Sequence, residues 1–201
     1  EDGLTVVRQR GRFMQEACDA TEGGMAAIIG LDAEATQEVC EATGTNIANL
    51  NCPGQIVISG PADKINAACD AAKEKGAKRA LPLTVAGAYH SPLMATAQAK
   101  LAATLEEITI NSSTIPVIGN VSAQAHGAPD EIRSRLVEQV TGTVRWEESI
   151  RHLISQGFTR FIELGPGKAL TGFMRRIDRN LQIVNVADCE SLEKAAAEIS
   201  D

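Results

Sequence analysis

Histidine 90 follows a tyrosine and precedes Ser-Pro in the stretch TVAGAYHSPLM, residues 84 to 94. Imidazole titrates near neutrality, so it can take and return a proton at cellular pH. Its place between an alternating apolar run and a helix start puts it at the mouth of an α/β sheet, where such proteins keep their sites. From the residues alone two readings stay open: His90 is a catalytic base, or it is a partly buried histidine satisfied by backbone. Ser91 is adjacent, but serine followed by Pro92 at the first helical position is a helix-start signature, so it reads as an N-cap and not as a nucleophile. His126 in a Gly/Pro loop and His152 on a polar helix face read as structural or solvent-exposed.

Arg10 lies one residue from an apolar stripe and next to Gly11, whose missing side chain lets a backbone or ligand come close. A guanidinium at the rim of a buried face grips a carboxylate through two parallel hydrogen bonds, although a surface arginine in a basic helix reads equally well. ELGPGKAL, residues 163 to 170, is a glycine-rich strand-to-helix turn, a type whose amides can bind an anion at the helix start. It lacks the spacing of either nucleotide-binding glycine motif and reads as a tight structural turn. The five cysteines, Cys18, Cys40, Cys52, Cys69 and Cys189, are odd in number and never form C-x-x-C, which points to neither a disulfide framework nor a zinc site.

These groups need elements to hold them, and 201 residues that are 44% hydrophobic suffice for a real core. A net charge of -7 argues against general nucleic-acid affinity, which needs a basic face. No run of about 18 apolar residues suggests a membrane span. No export leader is evident, so a cytoplasmic location is expected. Basic clusters at Arg8-Arg10-Arg12, Lys73-Lys75-Lys78-Arg79 and Arg175-Arg176-Arg179 read mostly as solvated faces.

Leu4, Val7, Gly11, Met14 and Cys18 predict an amphipathic opening helix broken by Gly23-Gly24. From 25 to 85 the pattern is strand, helix, strand, strand, helix, strand. Asp32 caps the first of these helices, Gly44 ends it, a Cys52-Pro53-Gly54-Gln55 turn makes a hairpin, and Pro61 and Asp63 open the second helix. That order predicts a ferredoxin-like split arrangement with both helices on one sheet face. Beyond it the pattern predicts a helix over 93–108, a strand IPVIGNV, helices at DEIRSRLVEQV and WEESIRHLISQG, a strand-turn-helix at RFIELGPGKALTGFMRRI and a last strand LQIVNVA. The expected fold class is α/β: a parallel-sheet lobe over 1–22 and 86–201, covered on both faces, with a ferredoxin-like lobe inserted over 23–85.

Eight stretches, VVRQRGRFMQEA, GMAAIIGL, NLNCPGQIVISG, KRALPL, AYHSPLM, PVIGNV, VRWEESI and ELGPGKALTG, resemble in order and spacing the malonyl-CoA:acyl-carrier-protein transacylase family. That family is related to the acyltransferase domains of fatty acid and polyketide synthases, and the resemblance runs the length of the chain. It implies an α/β-hydrolase-like large lobe and two-step transfer of malonyl from malonyl-CoA, through an acyl-serine, to the phosphopantetheine thiol of an acyl carrier protein. It further implies His90 as the base, Arg10 as the clamp for the malonyl carboxylate, and Gln139 as the residue whose main-chain carbonyl orients the histidine. Tyr89 matches the bulky residue that accompanies malonyl selectivity, and Asn51 matches a position near the coenzyme A cleft. No metal or redox cofactor is implied, and a monomer is expected of the intact enzyme.

The resemblance also implies a G-x-S-x-G nucleophile elbow, and none of the 201 residues forms one. The family places it ahead of the helix bearing Arg10. The chain, opening on Glu1, therefore reads as roughly the last two thirds of a truncated or processed enzyme, inactive alone. Three other readings remain: the acyltransferase module of a polyketide synthase, a non-catalytic carrier-binding fragment docking an acidic partner at Lys75, Lys78 and Arg79, and a ferredoxin-like ligand-binding domain fused to an α/β unit.

Overall fold

The computed structural model describes residues 2–200. Helix α1 (Asp2–Asp19) leads into a four-stranded antiparallel sheet built from β1 (Gly23–Ile29), β2 (Asn46–Cys52), β3 (Gln55–Pro61) and β4 (Arg79–Pro82). Its strand order is β2-β3-β1-β4, with α2 (Ala33–Thr43) between β1 and β2 and α3 (Ala62–Glu74) between β3 and β4. The remaining elements are a 3-10 turn (Pro92–Met94), α4 (Ala95–Glu106), α5 (Pro129–Glu138), α6 (Trp146–Ser155), β5 (Arg160–Leu164), α7 (Ala169–Ile177), β6 (Gln182–Val186) and α8 (Cys189–Ser200). The protein is thus a mixed α/β fold.

Local chemistry explains some boundaries. Asp32 accepts the Ala35 amide at 2.8 Å, satisfying one orphan N–H of α2. Pro129 occupies the first turn of α5, where its missing N–H costs nothing. Ala26, Ile28 and Ile58 of the sheet meet Val39 of α2 and Ile65, Ala68, Cys69 and Ala72 of α3 in one core. A second core joins Phe13, Ala17 and Cys18 of α1 to Met94, Ala97, Leu101, Leu105 and Val140.

Several expectations change. The buried face of α1 runs through Phe13, Ala17 and Cys18, with Val6 packed alongside, whereas Leu4 and Val7 are 80% and 68% exposed. The stripe read from sequence meets α4 at its C-terminal end, through Met14 and Cys18, and departs from the buried face at Leu4 and Val7. Gly23 and Gly24 begin β1 and so do not end the helix as a loop. The IPVIGNV strand does not form: Ile118 makes an isolated bridge to Ala125, and Ile115 and Val117 are exposed. A strand needs a partner ladder, and none of the described residues supplies one there. Strand β4 stops at Pro82, short of the expected 85. Parallel strand pairing is limited, among the described residues, to β5 with β6 and a single bridge between Asn49 and Val144. Helix α8 was not anticipated, although Asp188 and Ser191 cap it reciprocally, with Ser191 N–H to Asp188 Oδ1 and Asp188 N–H to Ser191 Oγ at 2.8 and 2.9 Å.

Two close approaches bring the sheet and α1 together around residues 87–90. A Cβ on Gly23 would lie 2.5 Å from the Ala88 amide nitrogen, and one on Gly87 would lie 2.5 Å from Cys18 Sγ. Only glycine lets β1 and α1 press against this turn from opposite sides.

Candidate active site

The turn that begins at Gly87 ends on His90, whose φ of 56° places it in the left-handed region. Few side chains rest there without support, and histidine is among the more tolerant. The support is visible. The buried Ser91 hydroxyl donates to Ala88 O at 2.7 Å and accepts the Leu93 amide at 3.3 Å, which is the expected cap. Serine 91 is therefore occupied in building the turn.

His90 Nδ1 lies 3.1 Å from Gln139 O and 3.0 Å from Gly142 O. Two carbonyl acceptors require the hydrogen on Nδ1, which leaves Nε2 as the basic nitrogen. Burial lowers the His90 pKa, the two carbonyl bonds pull it back upward, and the charge of Arg10 lowers it again. The net shift is downward, so the ring is neutral and able to accept a proton at pH 7. The bland reading of His90 and the catalytic one share this backbone anchoring; what separates them is that the second nitrogen remains free to act.

Arg10 projects from α1, half-buried, and its positive charge acts on His90 in the direction that lowers the imidazole pKa. Burial holds its guanidinium below the ordinary arginine value, yet an arginine stays charged. Among the described residues no carboxylate forms an ion pair with it, while its neighbour Arg12 pairs with Glu16. A partly desolvated cation without an internal anion is suited to an anionic ligand.

Tyr89 packs against Met25, Ala48 and Val57 of the sheet and also joins the core beneath α1, so it closes the gap between the two layers beside His90. Burial raises its pKa, and its hydroxyl meets Cys18. Asn51 is buried in β2, the strand that α6 and α7 pack against, and no hydrogen bond joins it to His90 or Arg10 among the described residues. The structure brings His90 onto the Gln139 carbonyl with Tyr89 adjacent in the chain, and no hydrogen bond ties Arg10 or Asn51 to them among the described residues. Sequence reasoning missed the Gly142 carbonyl, since any residue type can present one.

The glycine turn at 165–167 is filled from within. The buried Glu163 carboxylate accepts the Leu170 and Thr171 amides at 3.0 and 2.9 Å and the Thr171 hydroxyl at 2.6 Å. An internal anion occupies the N-terminus of α7, and an external one would have to displace it. Burial acts to raise the Glu163 pKa, but the bonds from Thr171, Leu170 and Asn185 outweigh it and leave the value lowered. A carboxylate depressed on folding stabilises fully above its unfolded pKa of about 4.3 and loses that contribution as pH falls through the folded value. Glu163→Ala is expected to cost about 1–3 kcal/mol at pH 7 by orphaning two amides. Thermal melts should show the gap to the parent narrowing below pH 4; a gap that stays constant into acid would remove the carboxylate as its cause.

No group of three or more metal-ligating side chains clusters among the described residues, and no described helix is long and apolar enough to cross a membrane. Cys18, Cys40, Cys52 and Cys69 are buried free thiols and Cys189 an exposed one.

The class is thus a mixed α/β protein with a backbone-anchored histidine and a half-buried arginine for which no ion-pair partner is found among the described residues. A profile of the family described as acyl transferase domain matches residues 1–196, and the chain belongs to that family. It is 48% identical over 200 residues to the malonyl CoA-acyl carrier protein transacylase of Bacillus subtilis strain 168, covering 97% of this chain and 63% of that protein. It is 44% identical over 180 residues to the Escherichia coli K12 protein of the same name, covering 88% and 58%. An acyl carrier protein S-malonyltransferase of Vibrio cholerae superposes with a TM-score of 0.92 at 42% identity, over 96% of this chain and 64% of that one. A malonyl-transacylase in complex with a type II polyketide acyl-carrier protein superposes with a TM-score of 0.94 at 39% identity, over 97% and 64%. The chain spans less than two thirds of the length of these curated relatives.

Proposed function

We propose that this chain carries the base and the carboxylate clamp of a malonyl-CoA:acyl-carrier-protein transacylase. The observation that carries the reading is His90 fixed by two carbonyls through Nδ1, and Arg10, without an ion-pair partner among the described residues, supports it by its charge on the ring. Nε2 of His90 takes the proton of an acyl-accepting serine as its oxygen attacks the malonyl thioester. The thioester C–S bond breaks, and the imidazolium returns the proton to the coenzyme A sulfur. In the second half the carrier's phosphopantetheine thiol gives its proton to Nε2, its sulfur attacks the serine ester, and the serine oxygen recovers the proton. A carbonyl acceptor in place of an acidic triad member orients the ring without adding negative charge beside an anionic substrate. Arg10 pairs with the free malonyl carboxylate throughout, and Tyr89 limits the space for a branched acyl group. Asn51 is assigned to the coenzyme A cleft on the resemblance alone.

On this reading the antiparallel sheet with α2 and α3 on one face is a ferredoxin-like lobe over 23–85. Residues 1–22 and 86–201 then belong to a hydrolase-like large lobe; the strand order β2-β3-β1-β4 supports the first and the parallel β5-β6 pair the second. Five free thiols accord with a cytoplasmic site of action. No metal or redox group takes part in the steps above.

Intact-mass measurement of the full-length protein after incubation with malonyl-CoA is expected to show one added malonyl group that moves to a carrier thiol on addition of acyl carrier protein. A full-length protein that never acquires the adduct would overturn the proposal.

A further inference from the structure

We infer that Gln98 is a positioning residue for His90: its side-chain amide ties the helix that follows His90 to the turn whose carbonyls hold the imidazole. The inference rests on the transacylase reading for its catalytic consequence but stands on geometry of its own.

His90, Ser91, the Pro92–Met94 turn and α4 form one continuous segment, so the ring is fixed to the start of α4. Its two acceptors, Gln139 O and Gly142 O, lie on a different segment, the turn that leaves α5. Something must hold these segments in register, because a displacement near 1 Å at a catalytic group is felt strongly in rate. Gln98 Nε2 donates to Val137 O at 3.1 Å and to Thr141 Oγ1 at 3.1 Å. These bonds fall on either side of Gln139, and Thr141 immediately precedes Gly142. A single amide on α4 therefore clasps the turn that carries both carbonyls. Gln98 lines the same open cleft as His90, Thr141 and Gly142, and its side-chain hydrogen bonds go to Val137 and Thr141 and not to the imidazole.

The opposite side of the turn is tied to the sheet. Thr143 Oγ1 donates to Ile47 O at 2.7 Å, and Val144 exchanges backbone bonds with Ala48 O and Leu50 N–H at 2.8 Å. Those ties are made beyond Gly142, toward β2. Val140, between the two acceptors, packs against Met94 and Ala97 of the His90 segment, and Gln98 adds, among the described residues, the directional side-chain hydrogen bonds from α4 to this turn.

Gln98→Met keeps length and volume while removing the donor, and Thr141→Val removes one of the two partners. Both are tested in the full-length protein by NMR titration of the His90 ring, alongside transfer kinetics. With its carbonyl acceptors loosened, the imidazolium loses the bonds that favour it, while burial and the Arg10 charge remain. The His90 titration and the acid limb of the rate profile should therefore move to lower pH in Gln98→Met, with kcat falling about tenfold and KM for malonyl-CoA within about twofold. Thr141→Val should show the same shifts, smaller. A titration that does not move, or moves upward, in a folded Gln98→Met overturns the inference even if the parent transfers malonyl. A downward shift in Gln98→Met relative to a parent that transfers nothing supports the clasp and overturns the transacylase reading instead.

Discussion

In the full-length protein, replacing His90 with asparagine is expected, on the transacylase reading, to lower malonyl transfer by about a thousandfold while leaving the fold intact. Asparagine suits the test because position 90 has φ 56°, a region that asparagine tolerates better than alanine. Its amide nitrogen also donates as Nδ1 does, so Gln139 O and Gly142 O are not left without a partner. What it lacks is a second nitrogen that accepts a proton, and the loss isolates base catalysis from turn stability. In the parent, kcat/KM should rise with pH through the His90 pKa, which burial holds below its ordinary value, so the acid limb lies below about pH 6.5. Steady-state transfer to a carrier thiol, measured beside a thermal melt, checks both parts. A folded His90→Asn protein that retains a tenth of the parent rate would mean that another group takes the proton.

Arg10→Ala has the second largest expected effect, and it is selective. On the proposed reading the malonyl carboxylate pairs with a partly desolvated guanidinium, and no ion-pair partner for it is found among the described residues. Removing one member of such a pair costs about 3–5 kcal/mol. That corresponds to a loss of roughly a thousandfold for malonyl transfer. An acetyl group has no carboxylate to strand, so acetyl transfer should fall far less and the preference between the two acyl groups should collapse. Loss of the Arg10 charge also removes one of the influences that depress His90, so the acid limb for the free enzyme should move to higher pH. Side-by-side kcat/KM values for malonyl-CoA and acetyl-CoA give the answer. Equal losses for both thioesters would assign Arg10 a structural role.

The parts of this protein that could be read from its residues are those with local causes. Asp32 and Ser91 announce helix starts because capping depends on one side chain and the next few amides. The hairpin at Pro53-Gly54 follows from turn chemistry, and the buried face of α3 follows from the spacing of Ile65, Ala68, Cys69 and Ala72. His90 and Arg10 stood out because imidazole and guanidinium carry recognisable chemistry, and the eight family-like stretches supplied their roles as expectations.

The tertiary structure decided what depends on distant partners. Ile115 and Val117 have strand-like patterning yet no ladder to join, so they stay exposed. Leu4 and Val7 lie on α1 beside the face that meets α4, and a shift of one position around the helix separates a core residue from a surface one. The acceptors of His90 are main-chain carbonyls, which every residue possesses, and only the fold selects those of Gln139 and Gly142. Gln98 looked like any polar residue on a helix until α5 and its turn were packed against it. Sequence by itself determined the local elements and the chemically distinctive side chains, because these follow from nearest neighbours along the chain. Register, burial and the choice of backbone partner came from tertiary structure, because they are set by groups brought together across dozens of residues.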